Sequence, residues 1–133
     1  MSRKLILIAV MLLAAVLAAC APKAPSLDLT SWKLLKLGDK SVPSNIEITA
    51  SFHNRQITGK SACNSYFGGY TQKNNEVKIS QLGSTMMACL DEGVMQWESE
   101  YLQALVKVKS FQLANSQLDL LDANGSPVMS FGK

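Results

Sequence analysis

The order of strand-like and helix-like segments is the feature that most constrains this fold. Apolar and polar side chains alternate strictly through residues 46–52, which is the period-two pattern of a half-buried strand. No helical segment separates successive strands in the first half of the chain. Because parallel strands need crossovers of a dozen or more residues, this order favours antiparallel pairing. Other short apolar runs bounded by turn-forming residues predict further strands, at residues 31–37, 56–63, 111–114, 117–122 and 127–131 and around Val77 and Ile79.

One segment, between Asp91 and Lys109, has a different period. Its apolar residues recur every three or four positions, as in an amphipathic helix; they are Val94, Trp97, Tyr101, Leu105 and Val108. We expect Asp91 to cap this helix and its acidic side chains, Glu98 among them, to face solvent. Turns are predicted at Gly68-Gly69 and at Asn124-Gly125. The predicted fold class is α+β: a small antiparallel, barrel-like curled β-sheet with one amphipathic helix packed on it.

The first twenty residues have the form of an export signal. Arg3 and Lys4 precede an uninterrupted apolar stretch, residues 5–19, and small residues lead directly into Cys20. This stretch is short for a transmembrane helix, which needs about 20 apolar residues; an uncleaved anchor and an ordinary secretory signal are the alternatives. The pattern resembles the lipobox of bacterial lipoproteins. We predict a cleaved signal peptide at 1–19, a lipidated N-terminus and spacer at 20–29 and a folded domain at 30–133.

Lipid on Cys20 would tether the domain to a membrane, because each buried methylene contributes about 0.8 kcal/mol. Ala21 rather than aspartate follows the cysteine, which resembles the sorting signal of outer-membrane lipoproteins. We therefore expect the protein to be anchored on the periplasmic face of the outer membrane.

The charges of the mature chain nearly balance. Of the 13 basic side chains, two lie in the signal, so the mature chain has 11 basic and 10 acidic side chains and a formal charge of about +1. This balance argues against nucleic acid as a partner. A monomer with an envelope protein partner is expected.

The cysteine count and the single histidine limit the catalytic and metal-binding chemistry that this chain can have. With Cys20 assigned to lipid, Cys63 and Cys89 are an even pair in an exported domain, which favours a disulfide over a zinc site or a reactive thiol. The single histidine, His53, lies in a predicted turn, and no Gly-x-Ser-x-Gly elbow accompanies it. We therefore predict no catalytic residues, no metal site and no cofactor, and we expect a protein that is not an enzyme.

Two segments are more specific than the composition. They read Ser61-Ala62-Cys63-Asn64-Ser65-Tyr66-Phe67-Gly68-Gly69-Tyr70 and Ser84-Thr85-Met86-Met87-Ala88-Cys89, and the domain opens with Trp32-Lys33-Leu34. All three resemble the META/HslJ domain family. The resemblance covers about residues 30 to 132. It implies a small antiparallel barrel-like α+β domain, a cell-envelope setting, a Cys63–Cys89 pair and, for some members, a link to stress. It implies no catalytic residues.

One residue departs from the family pattern. Ala62 stands where the family usually has glycine before the cysteine. That glycine would serve either a positive backbone angle, where alanine costs about 1 kcal/mol, or a close contact that alanine also fits. Neither alternative threatens the fold.

Two functions of different kinds are compatible with these features. The first is a non-enzymatic envelope lipoprotein that binds another envelope component in envelope maintenance or stress tolerance. The alternative is a barrel lipoprotein that binds a small apolar ligand between sheet and helix. Thr85 and Met87 are expected to be structural, Met87 as a core residue. The candidate contacts for a ligand or partner are Asn64, Tyr66, Phe67, Trp97 and Tyr101.

Overall fold

The computed structural model describes residues 22–133. The predicted signal peptide and the lipidation of Cys20 fall outside these residues and stay predictions. Within residues 22–133, no helix combines the length and the apolar character that a membrane span requires. The described chain contains the strands β1 (Thr30–Leu37), β2 (Lys40–Ser41), β3 (Thr49–His53), β4 (Gln56–Lys60), β5 (Ser65–Lys73), β6 (Glu76–Ser84), β7 (Ser110–Ala114), β8 (Gln117–Leu121) and β9 (Pro127–Gly132), and the helix α1 (Val94–Leu105) between β6 and β7.

All strand pairs are antiparallel, and the sheet closes on itself. The strand order is β2-β1-β3-β4-β5-β6-β7-β8-β9, and β1 also pairs with β9, which turns the curled sheet into a ring. The predicted fold class is confirmed. Strands β6 and β7 meet at a single residue pair, Glu76 with Ser110. The chain therefore leaves the ring after β6, forms α1 and returns at β7.

The inside of the ring is filled by side chains. Inward positions alternate along each strand, as the period of two requires, and the helix adds Val94, Tyr101 and Leu105 to the same core. Leu27 is also fully buried, so packing begins a few residues before β1. The aromatic residues of this core that are at most 2% exposed are Phe52, Tyr66, Tyr101, Phe111 and Phe131.

Three local predictions are wrong. The helix begins after Gly93, whose φ is +79°, and no side chain caps it, so Asp91 is not the cap. The helix also ends at Leu105, before Val108, the last residue of the predicted apolar stripe. Gly68-Gly69 is not a turn but lies inside β5. A Cβ on Gly68 would lie 2.8 Å from the Leu82 side chain, so the glycine there permits close packing.

Candidate functional site

The two cysteines of the domain form a disulfide. Cys63 follows β4, Cys89 follows β6, and their Cα atoms are 5.9 Å apart. The bond joins two loops at one end of β5, where the two motifs that carry the family resemblance meet. The disulfide predicted from the cysteine count is confirmed.

A buried carboxylate joins these loops to the helix. Glu98 is 7% exposed, and its Oε2 accepts hydrogen bonds from the backbone N–H of Asn64 at 2.7 Å and from the Ser61 hydroxyl at 2.9 Å. Its Oε1 accepts from Asn64 Nδ2 at 2.8 Å. A buried charged group is tolerated only when it is hydrogen-bonded in this way. The expectation that Glu98 faces solvent is wrong.

The spacing of the helix contains a signal for this burial. Val94, Glu98, Tyr101 and Leu105 are separated by four, three and four residues, and all four are buried. Glu98 therefore occupies a position of the apolar stripe itself. A charged residue at such a position indicates a buried partner, and Asn64 is that partner.

Asn64 extends the network to the loop after β6. Its Oδ1 accepts from the backbone N–H of Met87 at 2.7 Å and from the Thr85 hydroxyl at 2.9 Å, and its Nδ2 donates to the Met87 carbonyl at 3.1 Å. Asn64 is 1% exposed. Every buried side-chain nitrogen and oxygen of residues 22–133 has a partner. The polar groups of Asn64 and Glu98 are thus occupied inside the protein.

Residues 85–92, which we call the disulfide loop, are attached at alternate positions. Thr85 and Met87 are hydrogen-bonded to Asn64, and Cys89 is in the disulfide. The residues between and after these attachments project outward: Met86 is 97% exposed and Leu90 is fully exposed. Met87 is also 60% exposed despite its bound backbone, so its assignment to the core is wrong.

The predicted contact residues lie in different environments. Tyr66 and Tyr101 are buried against each other with ring centroids 5.4 Å apart, and the Tyr101 hydroxyl lies 2.7 Å from that of Tyr66, which donates to the Thr49 carbonyl. Phe67 lies on the outside of β5 and is 58% exposed. Trp97 is partly buried on α1, with Lys40 Nζ 5.2 Å from its ring. The structure therefore brings Asn64, Tyr66 and Tyr101 into the interior, separate from the exposed Phe67.

Burial dominates the acid–base behaviour of the tyrosines. It raises the pKa of Tyr66, and it raises the pKa of Tyr101 well above the ordinary value, to which the neighbouring Tyr66 also contributes. The pKa of Tyr70 is raised as well, by burial and then by the nearby Asp28 carboxylate. Raised pKa values keep these phenols protonated, as core residues require.

Five depressions on the surface of residues 22–133 have no Tyr66, Trp97 or Tyr101 in their walls. The most apolar of these five is a groove of about 320 Å³ between the end of β6 and the second half of α1, lined by Leu82, Leu102 and Val106. Residues 22–133 contain no cluster of three or more His, Cys, Asp or Glu side chains with metal-binding geometry. His53 is exposed at the end of β3.

The fold and this end of the molecule define a class: small α+β domains in which a closed antiparallel sheet carries one helix, with a disulfide-bonded loop beside it. Within that class, a family model identifies the particular family. The family model for the META domain matches residues 25–133. The chain belongs to the META domain family.

Solved structures agree. An NMR structure of a protein from Burkholderia xenovorans is 32% identical, with a TM-score of 0.66 over 86% of this chain and 92% of that one. A second NMR structure is 21% identical, with a TM-score of 0.62 over 79% of this chain and 89% of that one. A DUF4847-family crystal structure from Bacteroides vulgatus is 13% identical, with a TM-score of 0.61 over 80% and 93%, and like the second it supports the fold alone. No curated protein matches the chain.

Proposed function

We propose that this META-domain protein is a non-enzymatic lipoprotein of the bacterial cell envelope, anchored through Cys20 on the periplasmic face of the outer membrane. Its domain binds another envelope component and contributes to envelope maintenance or stress tolerance. The observation that carries the binding role is the disulfide loop, where Met86 and Leu90 are almost fully exposed on a backbone held by Asn64 and Cys63. Exposed apolar side chains on a fixed backbone are typical of contact surfaces.

A small apolar ligand inside the ring has less support. Tyr66 and Tyr101, which would line such a cavity, fill the interior and bond to each other. The shallow groove beside Leu82 is an apolar recess on the surface, and its volume is at the lower end of the range for small-molecule sites. Binding on the outside of the domain is therefore the better proposal.

Two measurements on protein extracted from membranes test the proposal. Intact mass should show loss of residues 1–19, acylation of Cys20 and two hydrogens fewer than the reduced cysteine pair would have. Cross-linking in living cells, under ordinary growth and under heat stress, should then retrieve the same partner repeatedly. An uncleaved mass with free thiols would refute the anchoring, and the absence of a reproducible partner under both conditions would refute the binding role.

A further inference from the structure

The exposed side chains of the disulfide loop indicate the chemistry of the partner. We propose that this loop binds a polypeptide segment of another protein in which apolar side chains are flanked by lysine or arginine. The apolar residues meet Met86, Met87 and Leu90, and the basic residues meet Asp91 and Glu92. This inference rests on the proposed function, because it names the kind of partner for the same surface.

The apolar part of the surface is concentrated in one short stretch. Met86, Met87 and Leu90 are 97%, 60% and 100% exposed, and Met95 in the first turn of α1 is 42% exposed. Methionine side chains are flexible and polarisable, so they adapt to irregular apolar surfaces. Burying several of them against a partner would remove a substantial apolar area from water.

The backbone beneath these side chains is already ordered. Thr85 donates its backbone N–H to the Ser65 carbonyl at 3.0 Å, Met87 is bonded twice to Asn64, and Cys89 is held by the disulfide. A loop fixed before binding loses little conformational entropy when a partner arrives. The attachments therefore favour a binding role for the exposed side chains.

The exposed charges that the loop itself carries are acidic, which favours a basic partner. Between Lys78 and Lys107 the chain contains four acidic residues and no basic one. Glu98 is buried in hydrogen bonds to Asn64 and Ser61, and Glu100 is paired with Lys40, so neither is available. Asp91 and Glu92 are exposed and take part in no ion pair among residues 22–133. Complementary charge on the partner would guide association.

The position of the loop separates it from the membrane attachment. Gln72 Nε2 donates to the Pro25 carbonyl at one end of β5, and Ser65 adjoins the loop at the other end. The seven residue-to-residue steps from Ser65 to Gln72 along the extended strand span about 23 Å. Since the surface is acidic and lies far from the tether, a protein segment rather than an anionic lipid surface is its occupant.

Site-specific photocross-linking tests the inference in cells that make the full-length protein. Benzoylphenylalanine replaces Met86 or Leu90, and Leu29, which is 76% exposed near the spacer, is the matched control position. We expect a discrete adduct from the loop positions alone, with the bound peptide containing apolar residues beside at least two lysines or arginines. Adducts to lipid, to a second copy of this chain or to an acidic segment would overturn the inference, as would equal labelling from the control.

The identified peptide then serves as a direct probe. A synthetic copy should bind the purified membrane-extracted protein, and its affinity should fall at least tenfold with Leu90→Ser or with Asp91→Asn and Glu92→Gln together. Because Leu90, Asp91 and Glu92 are all exposed, these variants should keep the wild-type unfolding midpoint, which is measured alongside. Unchanged affinity in both variants would overturn the inference. An adduct to an acidic protein segment would do so while leaving the proposed function in place.

Discussion

Replacing Glu98 with glutamine tests whether the buried carboxylate holds the site together. In the wild type, the two oxygens of Glu98 face only donors: the backbone N–H of Asn64, the Asn64 Nδ2 amide and the Ser61 hydroxyl. Glutamine has the same shape but carries an NH₂ group in place of one oxygen. In one orientation this NH₂ opposes the Asn64 backbone N–H, and in the other it opposes Asn64 Nδ2.

Rearrangement of the neighbours cannot remove this conflict. The Ser61 hydroxyl can turn toward the Asn64 carbonyl at 2.8 Å, but a backbone N–H cannot turn. The Asn64 side chain cannot flip either, because its Oδ1 accepts from Thr85 and from the Met87 N–H. Losing a hydrogen bond to a charged group costs about 1.5–3 kcal/mol, and a buried unsatisfied donor costs about 1–3 kcal/mol. We expect Glu98→Gln to lower the free energy of unfolding by about 3 kcal/mol.

Guanidinium unfolding followed by tryptophan fluorescence measures this loss, since Trp97 lies on the same helix. The midpoint should fall with an unchanged slope, because the surface exposed on unfolding is the same. Glu100→Gln is the control: this residue is on the solvent side of α1, paired with Lys40, and its replacement should leave stability nearly unchanged. A loss below about 1 kcal/mol for Glu98→Gln, or an equal loss for both variants, would refute the reasoning.

Three further outcomes are expected. Ala62 has a φ of +82°, so Ala62→Gly should raise the free energy of unfolding by roughly 0.5–1 kcal/mol in denaturant titration, whereas Ala123→Gly, at an exposed position without positive φ, should lower it. Removing the Cys63–Cys89 bond, which closes a loop of 26 residues, should lower the same quantity by about 3.5 kcal/mol. The tyrosine pKa values are raised in the folded state, so the stability that the protonated phenols contribute is fully present below about pH 10 and is lost as pH rises above it. In an alkaline titration, phenolate absorbance should therefore appear together with loss of the folded state.

A specific experimental result would contradict each of these three predictions. A destabilised Ala62→Gly variant would mean that the alanine methyl packs usefully despite its backbone angle. Equal stability of the oxidised and reduced proteins would mean that the loop ends are held equally well by hydrogen bonds. Tyrosines that ionise at about pH 10 in the folded protein, as they do in denaturant, would contradict their burial.

Ala62 shows how a tertiary structure resolves an ambiguity that the sequence leaves open. The sequence allowed either a positive backbone angle or a close contact at this position. The structure shows the positive angle, which alanine adopts at a cost. The backbone angle depends on contacts far along the chain, including the hydrogen bond from the Ala62 N–H to the Glu47 carbonyl, and no local pattern reports it.

The periodic patterns predicted most elements because they reflect which face of each element is buried. Residues 46–52 alternate, and Ile48, Ala50 and Phe52 are indeed buried, although β3 itself begins only at Thr49. The helical period also predicts the stripe of α1, but polarity alone predicts that its member Glu98 faces solvent. A partner 34 residues earlier, Asn64, provides the hydrogen bonds that make burial of Glu98 favourable.

The sequence by itself determined the antiparallel α+β class, the single helix of the domain and the pairing of its two cysteines. These follow from local periodicity and from counting, which need no knowledge of distant contacts. The tertiary structure decided the closure of the ring by β1 and β9, the burial of Glu98 and the exposure of Met86 and Leu90. Such properties depend on which distant segments meet, because a side chain is buried or exposed only in relation to what packs over it.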